Sequence, residues 1–432
     1  MRKVKKLHRF LLICIFCLAA VSGVNASDYN YPISDPYKAT ILGTPPPCMP
    51  PLPEADEMNV KELEMVVFPD REIPEAFWYE DTLTYSLAEQ EEKAPLIFVI
   101  AGTGARYDSA KNTDMQKAFY QAGFHVILLS SPTHPSFIPS ASSTMLPGDI
   151  KTDCQDLYRV MKLAWEAARE DIEVTDFYLT GYSLGGAHSG FISLLDEQEK
   201  AFNFKKVLMI NPPVSLYESA TKLDKMLDEN IPGGMNKFND FYNGLINNIS
   251  NTLKHGESVA MGPEFLYKAF DQILPTDEEA KAVIGFSFRI SAVNLFYVSD
   301  VMTNAGFIVP KNMTLTTTTA TADYGKVAAR SGGFGYYAEN VLFPAIQKNN
   351  PEKTMDQMIY ETSLRSIEDY LKTAEKVSML TNVDDGILAE GDIDYFKDVF
   401  QSRAKIYPKG GHCGTMAYTD NVAYMVDYFK SE

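Results

Sequence analysis

Phe177-Tyr178-Leu179-Thr180-Gly181-Tyr182-Ser183-Leu184-Gly185-Gly186 is a β-prone apolar run that stops at three glycines grouped around one serine. The pattern reads as a strand entering G-x-S-x-G and continuing into a helix. The demand behind it is steric. A serine held on a strained strand-to-helix turn brings the residues two before and two after it against neighbouring backbone, where a side chain has no room. Gly181 and Gly185 meet that demand, and Gly186 lets the following helix pack closely. The bare pentapeptide is a weak signal; its strand and helix context makes it a strong one.

Working outward, apolar runs bounded by turn residues predict strands at Leu63 to Phe68, Thr82 to Leu87, Leu96 to Ile100, Val126 to Leu129, Phe177 to Thr180, Val207 to Ile210, Val377 to Leu380 and Ala404 to Tyr407. From Leu96 onward they alternate with helical stretches such as Met115 to Ala122 and Cys154 to Arg169. Strand alternating with helix implies an α/β fold with a mostly parallel central sheet and helices on both faces. The alternation breaks after Asn211-Pro212-Pro213 and resumes only near Val377. The expected organisation is a core at 58–213 and 376–432 interrupted by a mainly helical lid or cap insertion at 214–375. Thr276 with Glu279 predicts a capping box at the head of a long apolar helix in that insertion. Arg289 and Asp300 interrupt its apolar run, so it reads as buried or cavity-lining and not as a membrane span. The threonines at 314–319 and Gly332-Gly333-Phe334-Gly335 predict a loop or short extended excursion. No internal repeat is visible.

The termini of the core add little chemistry. Met1 to Arg9 is basic, Leu11 to Val21 is apolar over about 11 residues where a bilayer span takes roughly 20, and Val24-Asn25-Ala26 is a small-x-small exit. Residues 1–26 therefore read as a cleaved signal peptide, with periplasmic or extracellular release and no stable membrane or lipid anchor. Residues 27–57, rich in proline, read as an extended arm laid over a surface or a mobile leader without catalytic signal. Cys48, Cys154 and Cys413 would remain, giving either one disulfide and one thiol or three unpaired cysteines.

Composition narrows the chemistry. The 432 residues are 45% hydrophobic and 22% charged, as expected of a globular protein with a sizeable core. Lys plus Arg number 39 against 57 Asp plus Glu, and five of the 39 fall in the signal segment. So acidic a surface repels phosphate backbones and anionic lipid, which argues against a nucleic-acid partner. Once the signal segment, with Cys14 and Cys17, is removed, the histidines are dispersed and no Cys-x-x-Cys remains, so no metal site and no cofactor are expected. Gly102 and Gly104 start a G-x-G, but Tyr107 stands where a dinucleotide fingerprint needs its third glycine.

A serine hydroxyl needs an imidazole as general base and a carboxylate to hold that imidazole. Of the histidines after Ser183, His188 lies on the helix following the serine and would point away, as a packing or surface residue, and His255 sits beside Lys254 and Gly256 in a solvated turn. His412 follows the last predicted strand in Gly410-Gly411-His412-Cys413-Gly414, a loop able to carry an imidazole over the sheet edge. Asp384 and Asp385, after the strand at Val377 to Leu380, compete for the orienting role. For the oxyanion, the backbone amides of Leu184 and Thr103 are the candidate donors, the latter in Ile100-Ala101-Gly102-Thr103-Gly104.

These pieces, in the chain order serine, acid, histidine, resemble the α/β-hydrolase superfamily, with Gly181 to Gly185 as its nucleophile elbow and a large helical lid insertion. Gly-Gly-His-Cys-Gly after an Asp-Asp loop looks most like the embryogenesis-associated hydrolase branch. Ala101-Gly102 stands where that family often has His-Gly, and the insertion exceeds its usual lid. The resemblance implies a carboxylesterase or lipase-like serine hydrolase acting on a small-molecule or lipid-like acyl ester. It also favours Asp385 over Asp384, because Gly386-Ile387-Leu388 is similar to the continuation after the family's catalytic acid. Peptide hydrolysis, acyl transfer and a non-catalytic binding protein are the competing readings. Nothing resembles a site for a peptide N-terminus, and an intact Ser, His and acid set counts against a retired site. Part of an aromatic set in the insertion (Phe238, Phe241, Tyr242, Phe265, Phe286, Phe288, Phe296, Tyr297, Tyr336, Tyr337) is expected to wall an acyl pocket, and most of it to be ordinary core.

Overall fold

The computed structural model describes residues 29–241, 276–320, 324, 325, 327, 328 and 332–431. Two compact units divide the chain after Asn30, and the body described below begins at Tyr31. The signal segment, His255, Tyr242 and Phe265 lie outside the described residues.

Eight strands form one sheet: β1 Val60–Met65, β2 Leu83–Ala88, β3 Ala94–Ile100, β4 His125–Leu129, β5 Val174–Tyr182, β6 Lys206–Ile210, β7 Val377–Asn382 and β8 Ala404–Tyr407, in the order β1-β2-β4-β3-β5-β6-β7-β8. All eight fall where apolar runs between turn residues predict them, with ends displaced by a few residues at most. β1 is antiparallel to β2 and β2 to β4, and every pairing from β4 through to β8 is parallel. β1 alternates exposed and half-buried residues, and Lys61, Glu62 and Glu64 blunt its open edge. β3, β4 and β6 are apolar on both sides, as strands covered by helices must be.

Alternation along the strands sorts the core into two layers. Leu96, Phe98, Ile100, Leu179, Val207 and Met209 pack with Leu157, Met161, Ile192 and Phe396 on one face. Ile97, Val99, Val126, Leu128, Leu208 and Ile210 pack with Met115, Phe119, Met425 and Phe429 on the other. The helices are α1 Pro36–Leu42, α2 Ala110–Gln121, α3 Phe137–Ala141, α4 Ile150–Ala168, α5 Leu184–Glu199, α6 Leu216–Asp228 and α7 Asp277–Thr303, followed by shorter ones at Phe343–Asn349, Met355–Glu361 and Glu368–Thr373 and by Asp392–Phe400 and Thr419–Lys430. The turn after β5 carries a serine at positive φ, and the loops after the parallel strands open on one edge. This is the α/β-hydrolase fold.

α7 starts at the predicted capping box, with Thr276 accepting from the Glu279 amide and the Glu279 side chain reaching back. It is long and apolar enough to cross a membrane, with a mean hydropathy of 1.4 in its most apolar window, yet most of that window is buried inside the protein. Arg289 is buried on it and pairs with Asp228 of α6 at 2.9 Å. Asp300 accepts from the amides of Phe307, Ile308 and Val309 and so caps the turn that follows. These polar anchors mark a core helix.

Two local expectations need correction. Gly333 starts a helical turn, Phe334–Tyr337, where a loop or extended excursion was expected. Its amide-rich entry is satisfied by Asp224 of α6, which accepts from the Gly335 amide, a contact remote in sequence. The proline-rich arm is likewise not simply extended. Asp35 caps α1 by accepting from the Lys38 amide and Pro36 occupies its first turn, where a missing N–H costs nothing. Proline content masked a helix that proline itself helps to begin.

Candidate active site

Because β3, β5, β6, β7 and β8 run parallel, the loops after all five open on the same edge of the sheet. Those loops carry Thr103, Ser183, Asn211, Asp384 with Asp385, and His412. Residues separated by hundreds of positions in the chain meet there.

Ser183 follows β5 as the N-cap of α5, with φ 55° and ψ −123°, and its amide donates to Ile210 O at 2.8 Å. The backbone is tightly packed on both sides of the serine. A Cβ on Gly185 would lie 2.2 Å from Ile100 O, and one on Gly181 2.4 Å from Gly185 O. No side chain fits either place.

Ser183 Oγ stands 2.8 Å from His412 Nε2. Nδ1 of the same ring lies 3.0 and 2.9 Å from the two carboxylate oxygens of Asp385. Asp385 is held in turn: Oδ2 accepts from Asn211 Nδ2 at 2.9 Å and Oδ1 from the Ile387 amide at 3.2 Å. Asp384 points elsewhere, accepting from the amides of Gly410 and Gly411 at 3.2 and 2.9 Å. The two neighbouring acids thus face opposite sides of the histidine loop, one its ring and the other its backbone. Burial by itself would lower the His412 pKa, but the charge of Asp385, with smaller contributions from Cys413 and the hydrogen bonds, overrides it and holds the imidazole above its ordinary 6.5.

The amides of Leu184 and Thr103 have no hydrogen-bond acceptor among the described residues, and both residues line one cavity with Ser183. The preceding amide-bearing turn is pinned by Gly104 N donating to Thr133 Oγ1 at 2.8 Å. Tyr182, after Gly181, lays its ring against Gly102, where an added Cβ would lie 2.7 Å from a ring carbon. Tyr107 is buried and hydrogen-bonds Glu62.

The cavity over Ser183 has a volume of about 110 Å³. Its walls come from the core and from the insertion alike, including Leu216 and Leu223 of α6, Phe288 and Leu295 of α7, and Tyr337. Of the aromatic set, Phe288 and Tyr337 reach the cavity. Phe238 and Phe241 instead pack on Phe286, Phe296 packs on Tyr336 and Tyr337, and Tyr297 on Phe77.

Three features escape a reading of the sequence alone. Asn211 sits in the Asn-Pro-Pro that ends the alternating pattern, and nothing there signals a contact to an acid far downstream. The arm, read as chemically silent, docks on the histidine loop: Thr40 Oγ1 accepts from the His412 amide at 2.9 Å and donates to Pro36 O at 2.7 Å. Tyr31 and Thr44 donate to Gly414 O at 3.2 and 3.0 Å. Gly411 has φ +59°, and a Cβ there would lie 2.1 Å from Pro36 O, so this glycine serves the contact with α1 as well as the bend of the loop. Third, His188 is a buried packing residue, as one of its two readings has it, but its neighbour is an acid: Nε2 lies 3.9 Å from Asp153 Oδ2. Cys48, Cys154 and Cys413 are unpaired, and Cys413 Sγ lies 3.7 Å from His412 Nε2. Among the described residues no cluster of His, Cys, Asp and Glu could hold a metal ion.

Docking by the arm carries a testable consequence. Thr40→Val keeps the volume but leaves the His412 amide without its acceptor, at a cost of about 1–3 kcal/mol. A loop displaced by a fraction of an ångström should lower kcat roughly tenfold with KM nearly unchanged. Steady-state kinetics and thermal melts of Thr40→Val and Thr40→Ser check this, with the serine variant close to wild type.

No protein-family model matches the sequence, and no curated protein does. Many solved structures are similar in arrangement. Est1E from Butyrivibrio proteoclasticus is 11% identical, covering 81% of this chain and 96% of that one, with a TM-score of 0.35. The Pyrococcus furiosus esterase Pf2001 is 9% identical, covering 87% and 93%, with a TM-score of 0.40. Carboxyl esterase 2 from Tuber melanosporum is 16% identical, covering 92% and 96%, with a TM-score of 0.41. At such values the likeness carries no argument about the fold or the reaction.

Proposed function

We propose that the protein is a serine hydrolase of the carboxylesterase type, cleaving short acyl esters by way of an acyl-enzyme. The observation that carries the reading is the continuous chain of contacts from Ser183 Oγ through His412 to Asp385, at 2.8 and 2.9 Å, opening on a largely apolar cavity. Ser183 Oγ attacks the ester carbonyl while His412 Nε2 takes its proton. The amides of Thr103 and Leu184 meet the negative charge that develops on the carbonyl oxygen. The intermediate collapses, the C–O bond to the leaving alcohol breaks, and His412 returns the proton to that alcohol. A water molecule then attacks the acyl-serine with His412 again as base, and the acid leaves with Ser183 restored. Asp385 orients the ring and stabilises its charged form throughout.

The resemblance of the Gly-Gly-His-Cys-Gly loop to the embryogenesis-associated hydrolases supports the same reaction class. The basic, apolar and small-residue segments of 1–26 support export, and N-terminal sequencing of secreted protein should begin at Ser27.

A fluorophosphonate probe followed by peptide mapping tests the site. The expected adduct is on Ser183 and is lost in His412→Ala. Folded protein that takes no label on Ser183 would overturn the reading and bring the binding-protein alternative forward. Size sets a further expectation. A cavity of about 110 Å³ is smaller than the roughly 150 Å³ apolar void that accepts benzene. Nitrophenyl butyrate should therefore exceed nitrophenyl laurate in kcat/KM by at least about tenfold, measured under conditions that keep the laurate monomeric.

A further inference from the structure

Nearly all of the cavity wall is apolar or carries hydroxyls already committed within the protein. Ser219 Oγ donates to Ile387 O, Thr362 Oγ1 to Met358 O, Tyr337 OH to Pro147 O, and Thr133 Oγ1 bonds Ser131 and the Gly104 amide. Asp153, in the first turn of α4, is the one carboxylate among the described lining residues. It is nearly fully buried. Oδ2 accepts from the Gly148 amide at 2.8 Å, while Oδ1 has no hydrogen bond among the described residues. Behind it stands His188, completely buried, with neither ring nitrogen hydrogen-bonded among the described residues. Its Nε2 remains 3.9 Å from Asp153 Oδ2, too far for a hydrogen bond.

A buried acid and a buried imidazole left short of partners cost free energy unless something supplies the missing donor. A hydrophobic slot for plain alkyl chains has no use for them. Burial also pushes the Asp153 carboxyl above its usual range, with only partial relief from His188 and the Gly148 amide. A donor arriving on a ligand would relieve that desolvation.

We infer that Asp153, backed by His188, is a specificity determinant for acyl groups whose far end carries a hydrogen-bond donor, a hydroxyl or an ammonium. This rests on the esterase reading for the orientation of the acyl group, with its carbonyl at Ser183 and its tail in the cavity. The donor would satisfy Asp153 Oδ1, and an alkyl chain of equal length would leave it unpaired. A site built to bond a polar substrate group rejects the analogue that lacks it far more strongly than an apolar pocket rejects an added methylene.

The test uses three ethyl esters of matched shape: 6-hydroxyhexanoate, 6-aminohexanoate and heptanoate, which place OH, NH3+ and CH3 at the same position. Binding to Ser183→Ala protein is measured by calorimetry, so that the result does not depend on turnover. Either donor-bearing ester should bind at least about tenfold more tightly than heptanoate, and whichever does so identifies the donor. Asp153→Asn in the same background keeps an acceptor for the Gly148 amide but presents an NH2 to the cavity, and it should abolish the preference. Heptanoate binding as well as both donor esters would overturn the inference, with no need of the Asp153 variant. So would a preference that survives Asp153→Asn. Should the preference hold while wild-type protein hydrolyses none of the three, the pocket assignment stands and the esterase reading falls.

Discussion

Ser183→Ala and His412→Ala should each lower kcat for a short nitrophenyl ester by roughly 10⁶-fold, and the double variant should lose little more. On the proposed reading, serine and imidazole act as one unit. Without the hydroxyl there is no covalent intermediate, and without Nε2 at 2.8 Å the hydroxyl is not activated at neutral pH. A residual rate above the uncatalysed reaction is expected from the cavity and from the Thr103 and Leu184 amides, which both variants retain. Ser183→Ala should not melt the protein, because it leaves both apolar layers intact, whereas His412→Ala removes the partner of the buried Asp385 carboxylate and should lower the melting temperature without unfolding the protein. Stopped assays with purified variants decide the matter. If Ser183→Ala keeps more than about one part in 10³ of the wild-type rate, another nucleophile is at work.

The adjacent acids should differ sharply. Asp385→Asn preserves shape but removes the charge facing His412 Nδ1 and offers an NH2 where the ring needs an acceptor, so kcat should fall by roughly 10⁴. Asp384→Asn loses only charge-assisted bonds to the Gly410 and Gly411 amides, and about 1–2 kcal/mol of stability with a modest loss of kcat is the expected result. The pH profile separates them further. A general base works only when neutral, so kcat/KM rises as pH climbs through the His412 pKa. The charge of Asp385 holds that pKa above 6.5 against the opposing effect of burial, so the wild-type limb lies on the alkaline side of an ordinary imidazole. Asp385→Asn should move the limb toward lower pH, and Asp384→Asn should not. Stability follows with the matching sign. The protonated His412 and Asp385 pair contributes fully below the unfolded imidazole value, and the contribution disappears as pH rises through the folded value. Melting temperatures across that interval should fall in wild type relative to Asp385→Asn.

The legible parts of the protein share a cause. Ser183 was visible because its surroundings are local: a strand, a forbidden side chain at 181 and 185, and a helix all lie within a short stretch of chain. The central strands are legible for the same reason, since apolar runs between turn residues report burial on both faces; β1, at the edge, alternates exposed and half-buried residues. The helix at 277–303 announced itself through Thr276 and Glu279. The arm lies over a surface, as its composition suggests, but its helix does not show in the sequence, because proline enrichment says only that a helix interior is excluded. It does not reveal that Asp35 and Pro36 can open a short helix that other residues then hold. The turn at Phe334 and Gly335 does not show in the sequence because the acid that stabilises it, Asp224, sits on another helix.

Sequence by itself determined the strand and helix alternation, the strained serine turn and the order of serine, acid and histidine along the chain. Each follows from sterics or periodicity acting over a few residues. Tertiary structure decided which of two adjacent acids faces the imidazole, that Asn211 holds that acid, that Thr40 holds the histidine backbone, and that Asp153 is walled into the cavity with His188 behind it. Those contacts join residues brought together only when parallel strands align their ends and the insertion closes over them, and no spacing in a linear chain encodes which way a side chain will turn once there.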